Sequence, residues 1–210
     1  MFGLQLMRRT ELPQWTVLAG VMAALAPLPA TADEATGWYV GAGVGQSKAI
    51  QYCEPPAGSV VQSCDDTSFA WKLLLGYQAN RYLGVEVGYD YFGRYSASFV
   101  SSGAVQTNQT KTWAGFLEAV GTIPFGSRFS LFGKAGGVYW RTTFNSQEGS
   151  AAPFETSQHD IDFVVGAGAQ LFVTKNLAIR AEYEYLPKYG NDLTGEVNLQ
   201  FISASVLWKF

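Results

Sequence analysis

The sequence predicts an all-β protein, an eight-stranded antiparallel up-and-down transmembrane β-barrel with a lipid-facing exterior and a polar interior. Three observations predict it. Apolar and polar residues alternate with period two through most strand-like segments, the mark of strands whose two faces meet different surroundings. The connections between those segments alternate short and long, as they do when strands run up and down across a membrane. Aromatic residues gather toward both ends of the apolar faces, where the two interfaces of a bilayer hold them.

The first stretch of the chain falls outside that fold. Arg8 and Arg9 precede an almost wholly apolar run from Trp15 to Leu28, and Ala30-Thr31-Ala32 supplies a small-x-small cleavage pattern. This is the pattern of a secretory signal peptide, residues 1–32, and it is too short to span a bilayer comfortably as an anchor. Residues 33–210 then have the size of one domain. The whole chain carries a net charge of −3, with 15% charged residues, and loss of the leader makes it more negative. A chain so charged has no basic footprint for nucleic acid. No other apolar run is long enough for a membrane helix. Such a chain spans a membrane only as a closed barrel, because open sheet edges cannot face lipid.

Eight segments with strand character follow, near 37–47, 67–77, 81–92, 111–123, 129–142, 159–173, 177–186 and 197–210. Gln78-Ala79-Asn80, Pro124 to Arg128 and Thr174-Lys175-Asn176 are tight turns. The other connections, about 48–66, 93–110, 143–158 and 187–196, are rich in Ser, Gly, Asn and Thr and are expected as extracellular loops, with the short turns periplasmic.

The faces of the strands separate cleanly in most cases. The third segment sets Leu83, Val85, Val87, Tyr89 and Tyr91 against Gly84, Glu86, Gly88 and Asp90. The seventh sets Leu177, Ile179, Ala181, Tyr183 and Tyr185 against Arg180, Glu182 and Glu184. The first puts Trp38, Val40, Ala42 and Val44 opposite Tyr39, Gly41, Gly43 and Gly45. The fourth is weaker, since Phe116 and Val120 share a face with Glu118. A soluble barrel inverts this chemistry, with an apolar interior and a wet exterior. Here the charged face is rich in glycine, which cannot fill a large apolar cavity, and the opposite face is hydrocarbon and aromatic.

Threading the strands up and down puts Trp38, Tyr77, Phe129, Trp208 and Phe210 near one rim. Trp71, Tyr89, Tyr91, Trp113, Tyr139, Tyr183 and Tyr185 fall toward the other. The last strand, ending Val206-Leu207-Trp208-Lys209-Phe210, has one wholly apolar face and must pair with the first to close the barrel.

Two chemical features stand out. Cys53 and Cys64 lie in one long connection of an exported chain and are expected to form a disulfide. A metal site would need further ligands, and the chain has one His; no cofactor is expected. Inside the barrel, Lys72, Glu86, Glu118, Lys134 and Glu182 each fall five residues from the short-turn end of their strands, and Arg180 falls three from it. Three acids and three bases in one layer of a narrow barrel must pair, because an isolated buried charge is too costly. The simplest role for such a layer is to fill and neutralise the lumen; exchange of partners would make it a gate.

The run Gly76-Tyr77-Gln78-Ala79-Asn80-Arg81-Tyr82-Leu83-Gly84-Val85-Glu86-Val87-Gly88-Tyr89-Asp90-Tyr91 resembles the second and third strands of the OmpA transmembrane domain. Trp38 to Ala42, Gly136 to Arg141 and Arg180 to Tyr183 resemble its first, fifth and seventh strands. The wider set of small eight-stranded outer-membrane barrels, including OmpX and opacity-type proteins, is similar too. The resemblance implies that Glu86 and Arg180 match the family's central interior ion pair and Lys134 a further interior base. It also marks departures. Gly43, Gln170, and Ala119 or Val120 stand where the family has interior charges, while Lys72 and Glu118 are additions. A peptidoglycan-binding domain is not expected, since the chain stops at Phe210. The terminal Trp208 and Phe210 resemble the carboxy-terminal signal read by the outer-membrane assembly machinery.

These readings imply a monomeric outer-membrane protein, in contact with lipid and lipopolysaccharide, whose role is structural and whose lumen is plugged. An adhesin acting through the loops, or a narrow low-conductance porin, is the alternative. An enzyme is not expected. The one His, His159, lacks the His-x-Ser spacing of barrel deacylases and stands at a loop–strand junction. Deletion of Phe210 is expected to impair assembly far more than any single loop change, scored by heat-modifiable mobility of membrane-inserted protein. Normal insertion of that deletion would refute the terminal signal.

Overall fold

The computed structural model describes residues 36–55, 58–101, 104–148, 154–189 and 197–210. The expected leader and the tips of the four long connections lie outside these residues. The strands are β1 (Gly37–Ile50), β2 (Val60–Asp65), β3 (Thr67–Gln78), β4 (Leu83–Ser101), β5 (Ala104–Phe125), β6 (Phe129–Glu148), β7 (Phe154–Phe172), β8 (Leu177–Tyr189) and β9 (Val197–Lys209).

Neighbours in sequence are neighbours in space, all antiparallel, from β3–β4 and β4–β5 around to β8–β9. The ring shuts through β1, which pairs with β3 on one side and with β9 on the other. The result is a closed eight-stranded barrel, in which, among the described residues, no membrane-level strand edge is left to face lipid. The strand β2 adds no wall. It pairs with the far half of β4, beyond a bulge between Tyr91 and Gly93, and so continues the line of β3.

Four strands are longer than the sequence suggested. β4 to β7 run 19, 22, 20 and 19 residues, whereas about 9–11 suffice to cross a bilayer. Most of 93–110 is therefore not a loop but a continuation of the β4–β5 hairpin, paired out to Ser101↔Ala104. The β6–β7 hairpin reaches Ser146↔Phe154 in the same way, and the connection at 48–66 contains β2. Cross-strand pairing satisfies the backbone of these polar stretches. Tyr95, Ala97 and Phe99 also bury one face of the β4 extension, an alternation masked by the Ser residues between them.

The expected faces have physical consequences. Leu73, Val85, Val87, Leu117, Ile161, Phe163, Ile202 and Val206 are exposed on the outer wall, the row of hydrocarbon a membrane requires. Trp38 packs on Tyr77 at 5.0 Å between ring centroids near the short turns. Toward the other end Trp71, Tyr89, Trp113 and Tyr139 form a chain of ring contacts at 5.4, 5.5 and 6.2 Å across four strands.

The interior glycines make room for rings. Tyr39 lies across from Gly76, Phe116 across from Gly88 and Phe132 across from Gly168. In each pair a Cβ on the glycine would collide with the ring, so the aromatic covers the gap its partner leaves. The charged layer thus sits among buried Phe116, Phe132 and Phe201 rather than in an all-polar lumen.

The β1–β9 seam is tight at Gly45, where a Cβ would strike the Ile202 carbonyl oxygen and lie 2.7 Å from Ser203 Cα. Backbone cannot yield as a side chain can. Gly45→Ala is expected to cost about 1–3 kcal/mol in urea unfolding from lipid vesicles, while Gly137→Ala, which meets open space, stays near the unmutated value. Equal stability of the two variants would contradict a close-packed seam.

Candidate functional site

Every wall of the barrel sends a side chain into one interior network. Tyr39 comes from β1, Lys72 from β3, Glu86 and Asp90 from β4, Glu118 from β5 and Lys134 from β6. Gln170 comes from β7, Arg180, Glu182 and Glu184 from β8, and Ser203 from β9. Strand parity turns all of them inward, and the charged members are almost wholly buried.

The network has two linked parts. Nearer the short turns, Arg180 Nη1 donates to Glu86 Oε1 at 2.5 Å, and the Tyr39 hydroxyl donates to the same oxygen at 2.6 Å. Arg180 also donates from Nε and Nη2 to Gln170 Oε1, at 3.2 and 3.0 Å, and its guanidinium stacks over Phe132 at 4.5 Å. A planar five-donor group suits this multiple role.

The second part is a lysine–carboxylate cluster. Lys72 Nζ donates to Glu182 Oε1 at 2.5 Å and to Glu184 Oε2 at 2.8 Å, with Asp90 at 3.7 Å. Lys134 Nζ pairs with Glu118 at 2.9 Å, Glu182 at 3.3 Å and Glu184. Both ammonium groups sit over the face of Phe116, at 5.2 and 5.4 Å, where the ring quadrupole favours a cation. The Ser203 hydroxyl closes the ring of walls by donating to Glu182 at 3.2 Å.

All six charges expected from the sequence meet here. Two more join them that depth counting left out. Glu184 shares the face of Glu182 and bridges both lysines; Asp90 shares the face of Glu86 and lies across from Lys72. Their parity was visible, but barrel stagger shifts neighbouring strands, so equal distance from a turn is not equal height. The layer therefore gathers five carboxylates around three cations among the described residues. Glu118 Oε1 and Glu86 Oε2 have no hydrogen-bond partner there.

Below this layer a recess of about 310 Å³ opens toward the short turns and ends on Tyr39 and Arg180. Above it, Ser47 receives a hydrogen bond from Tyr95 at 2.7 Å and donates to the Phe92 carbonyl at 2.5 Å. Still farther out, the Cys53–Cys64 disulfide ties the segment after β1 to β2, with Cα atoms 5.8 Å apart. Beside it, Tyr52 bonds Thr110 at 3.0 Å. His159 lies elsewhere, exposed on the outer wall with its ring 5.9 Å from Tyr139. Trp208 and Phe210 are exposed at the short-turn rim, and the Phe210 amide bonds the Trp38 carbonyl at 3.0 Å.

A model of the OmpA-like transmembrane domain matches residues 33–210. Outer membrane protein A of Serratia marcescens is 30% identical over 185 residues, covering 83% of this chain and 49% of the relative. The protein of the same name from Yersinia pseudotuberculosis is 28% identical over 179 residues, covering 83% and 48%. The chain spans about half the length of the curated relatives it matches. Among solved structures, Neisserial surface protein A superposes with a TM-score of 0.59 at 22% identity, covering 83% of this chain and 97% of that one. The attachment invasion locus protein of Yersinia pestis, in complex with the heparin analogue sucrose octasulfate, gives 0.51 at 18% identity, covering 83% and 99%. At these identities the two structures share the fold.

Removing one cation from the cluster strands its acids. Lys134→Met leaves Glu118 without its base and is expected to cost about 3–5 kcal/mol of unfolding free energy. Glu118→Gln keeps the shape and leaves Lys134 its two other carboxylates, so a loss within about 1.5 kcal/mol is expected. The same urea titration in vesicles measures both, and equal losses would contradict the pairing.

Proposed function

Because this chain belongs to the OmpA-like transmembrane domain family, an outer-membrane barrel, we propose that it serves as a structural element of that membrane with its lumen closed by the interior network. The observation that supports this most directly is that all eight barrel walls contribute to one buried layer. A layer of that kind holds the walls in register and occupies the cross-section. Buried pairs are costly to break one at a time, which suits a permanent plug better than a wide pore. In this reading the long hairpins face the exterior, the short turns face the periplasm, and the barrel works as a monomer.

Surface recognition is the second reading, and a specific observation favours it. The extended β4–β5 hairpin, backed by β2 and the Cys53–Cys64 disulfide, is a braced platform rather than a loose loop. Rigid scaffolds that present variable tips are where binding residues collect. The Yersinia pestis attachment protein shares the fold, and its ligand complex makes a polyanionic surface glycan one class of partner to try.

A deletion strain separates the two. Loss of the protein is expected to sensitise cells to detergent and to large antibiotics, and the unmutated gene is expected to restore resistance. A version with 95–109 replaced by a short Gly-Asn-Gly turn should restore it equally. If that shortened version instead fails only in attachment to host cells, and envelope sensitivity never changes, recognition replaces the structural role.

A further inference from the structure

Outside the interior network, the fold also orders a set of basic side chains among the described residues. On β5, Lys111 shares the outer face with Trp113 and lies one step beyond it. On β6, Arg141 stands in the same relation to Tyr139, and on β7 His159 to Ile161. On β4, the bulge between Tyr91 and Gly93 brings Arg94 to the outer surface just past Tyr91. All four are exposed. The register makes them neighbours: Arg94 is directly across from Lys111, and Arg141 directly across from both Trp113 and His159. Direct cross-strand partners stand about 5 Å apart and diagonal ones about 7–8 Å, so four adjacent strands carry a continuous basic row along the upper aromatic belt.

Like charges placed opposite one another are destabilising. Yet among the described residues Arg94, Lys111 and Arg141 make no ion pair, while the exposed Lys48 on β1 has Asp66 at 3.6 Å. The acids flanking the row are Asp65, beside Ser96 on β2, and Glu155, farther along β7. Asp65 accepts a hydrogen bond from the Thr67 amide at 3.3 Å. Asp160 has the opposite strand parity to His159. Lys111 reaches back over the Tyr91 ring at 5.8 Å, which holds its ammonium against the belt. The row is therefore basic, open and fixed at the height where hydrocarbon gives way to headgroups.

We propose that Arg94, Lys111 and Arg141, with His159 beside them, bind the phosphates of lipid A in the outer leaflet. The proposal rests on the reading that the long hairpins face the exterior. The chemistry fits at three heights. Acyl chains lie on the outer wall of Val87, Leu117 and Phe163, the sugar ring meets the Trp113–Tyr139 ledge, and the phosphates meet the row, Arg offering paired donors to each anion. The four strands involved are the long ones, which hold the row rigidly where they leave the membrane.

The test uses the refolded full barrel in zwitterionic micelles, titrated with diphosphoryl lipid A, the same lipid dephosphorylated, and phosphatidylglycerol. The diphosphoryl form is expected to bind at least about tenfold more tightly than either other lipid, the sum of several charge-assisted contacts. The triple variant Arg94→Gln, Lys111→Gln, Arg141→Gln is expected to lose that preference. The pair Arg128→Gln, Lys175→Gln at the short turns is expected to keep it. Equal affinity for the dephosphorylated lipid, equal affinity for phosphatidylglycerol, or an unchanged triple variant each overturns the proposal. The comparison of lipids on unmutated protein decides the matter even if the triple variant fails to fold. Orientation is read separately, by surface accessibility of an epitope inserted between Ser102 and Gly103 on intact cells. A buried epitope with intact lipid A preference would overturn the outward orientation and with it the assignment to the outer leaflet, while leaving the affinity of the row itself measured.

Discussion

The interaction on which the rest of the structure depends is the buried contact between three cations and the carboxylates that surround them. Arg180, Lys72 and Lys134 are too costly to leave unpaired inside a narrow barrel. Their partners come from strands far apart in sequence, as with Lys72 and Glu182, which lie 110 residues apart. Each pair fixes the height of one wall against another. A slip of one residue in any pairing would turn a charge toward lipid and an aliphatic side chain toward the network. Hydrophobicity alone sets which face is outward; the charges set the register.

That register then explains features that have no charge. Tyr39 can reach Glu86 because Gly76 leaves space beneath its ring, and Phe116 can lie under both lysines because Gly88 does the same. On the outside the same register aligns Trp71, Tyr89, Trp113 and Tyr139 into a belt and places the basic row beyond it. From short turns to long hairpins the wall changes from aromatic to aliphatic to aromatic, and on β4 to β7 then to basic. A molecule ordered in that way has one stable depth in a bilayer. The bulge after Tyr91 matters for the same reason, since it reverses which residues of β4 face outward and so delivers Arg94 to the row.

Much of this was legible in the sequence, because lipid imposes a stricter pattern than water does. Alternation such as Leu83-Gly84-Val85-Glu86-Val87 gave strand, face and inside in one reading. The closing of the last strand on the first, the two belts and the six interior charges were legible for the same reason. Three things were not. Glu184 and Asp90 were visible as inward residues, but their place among the lysines depends on stagger between strands, which single-strand counting does not contain. The extended hairpins were hidden because strand outside the membrane needs no apolar outer face, so Ser, Thr and Asn look like loop. The basic row was hidden because Arg94, Lys111, Arg141 and His159 are scattered along the chain and become neighbours only through pairing.

The proposal that the barrel is closed by its own charges makes a definite electrical statement. Purified, refolded protein reconstituted into planar bilayers should be silent under applied voltage, because Arg180, Glu86 and the lysine cluster occupy the lumen between the short-turn recess and the long hairpins. Glu86→Gln, which keeps the shape but weakens the hold on Arg180, should introduce brief openings against that quiet baseline. Clear, stable conductance from the unmutated protein would contradict the account.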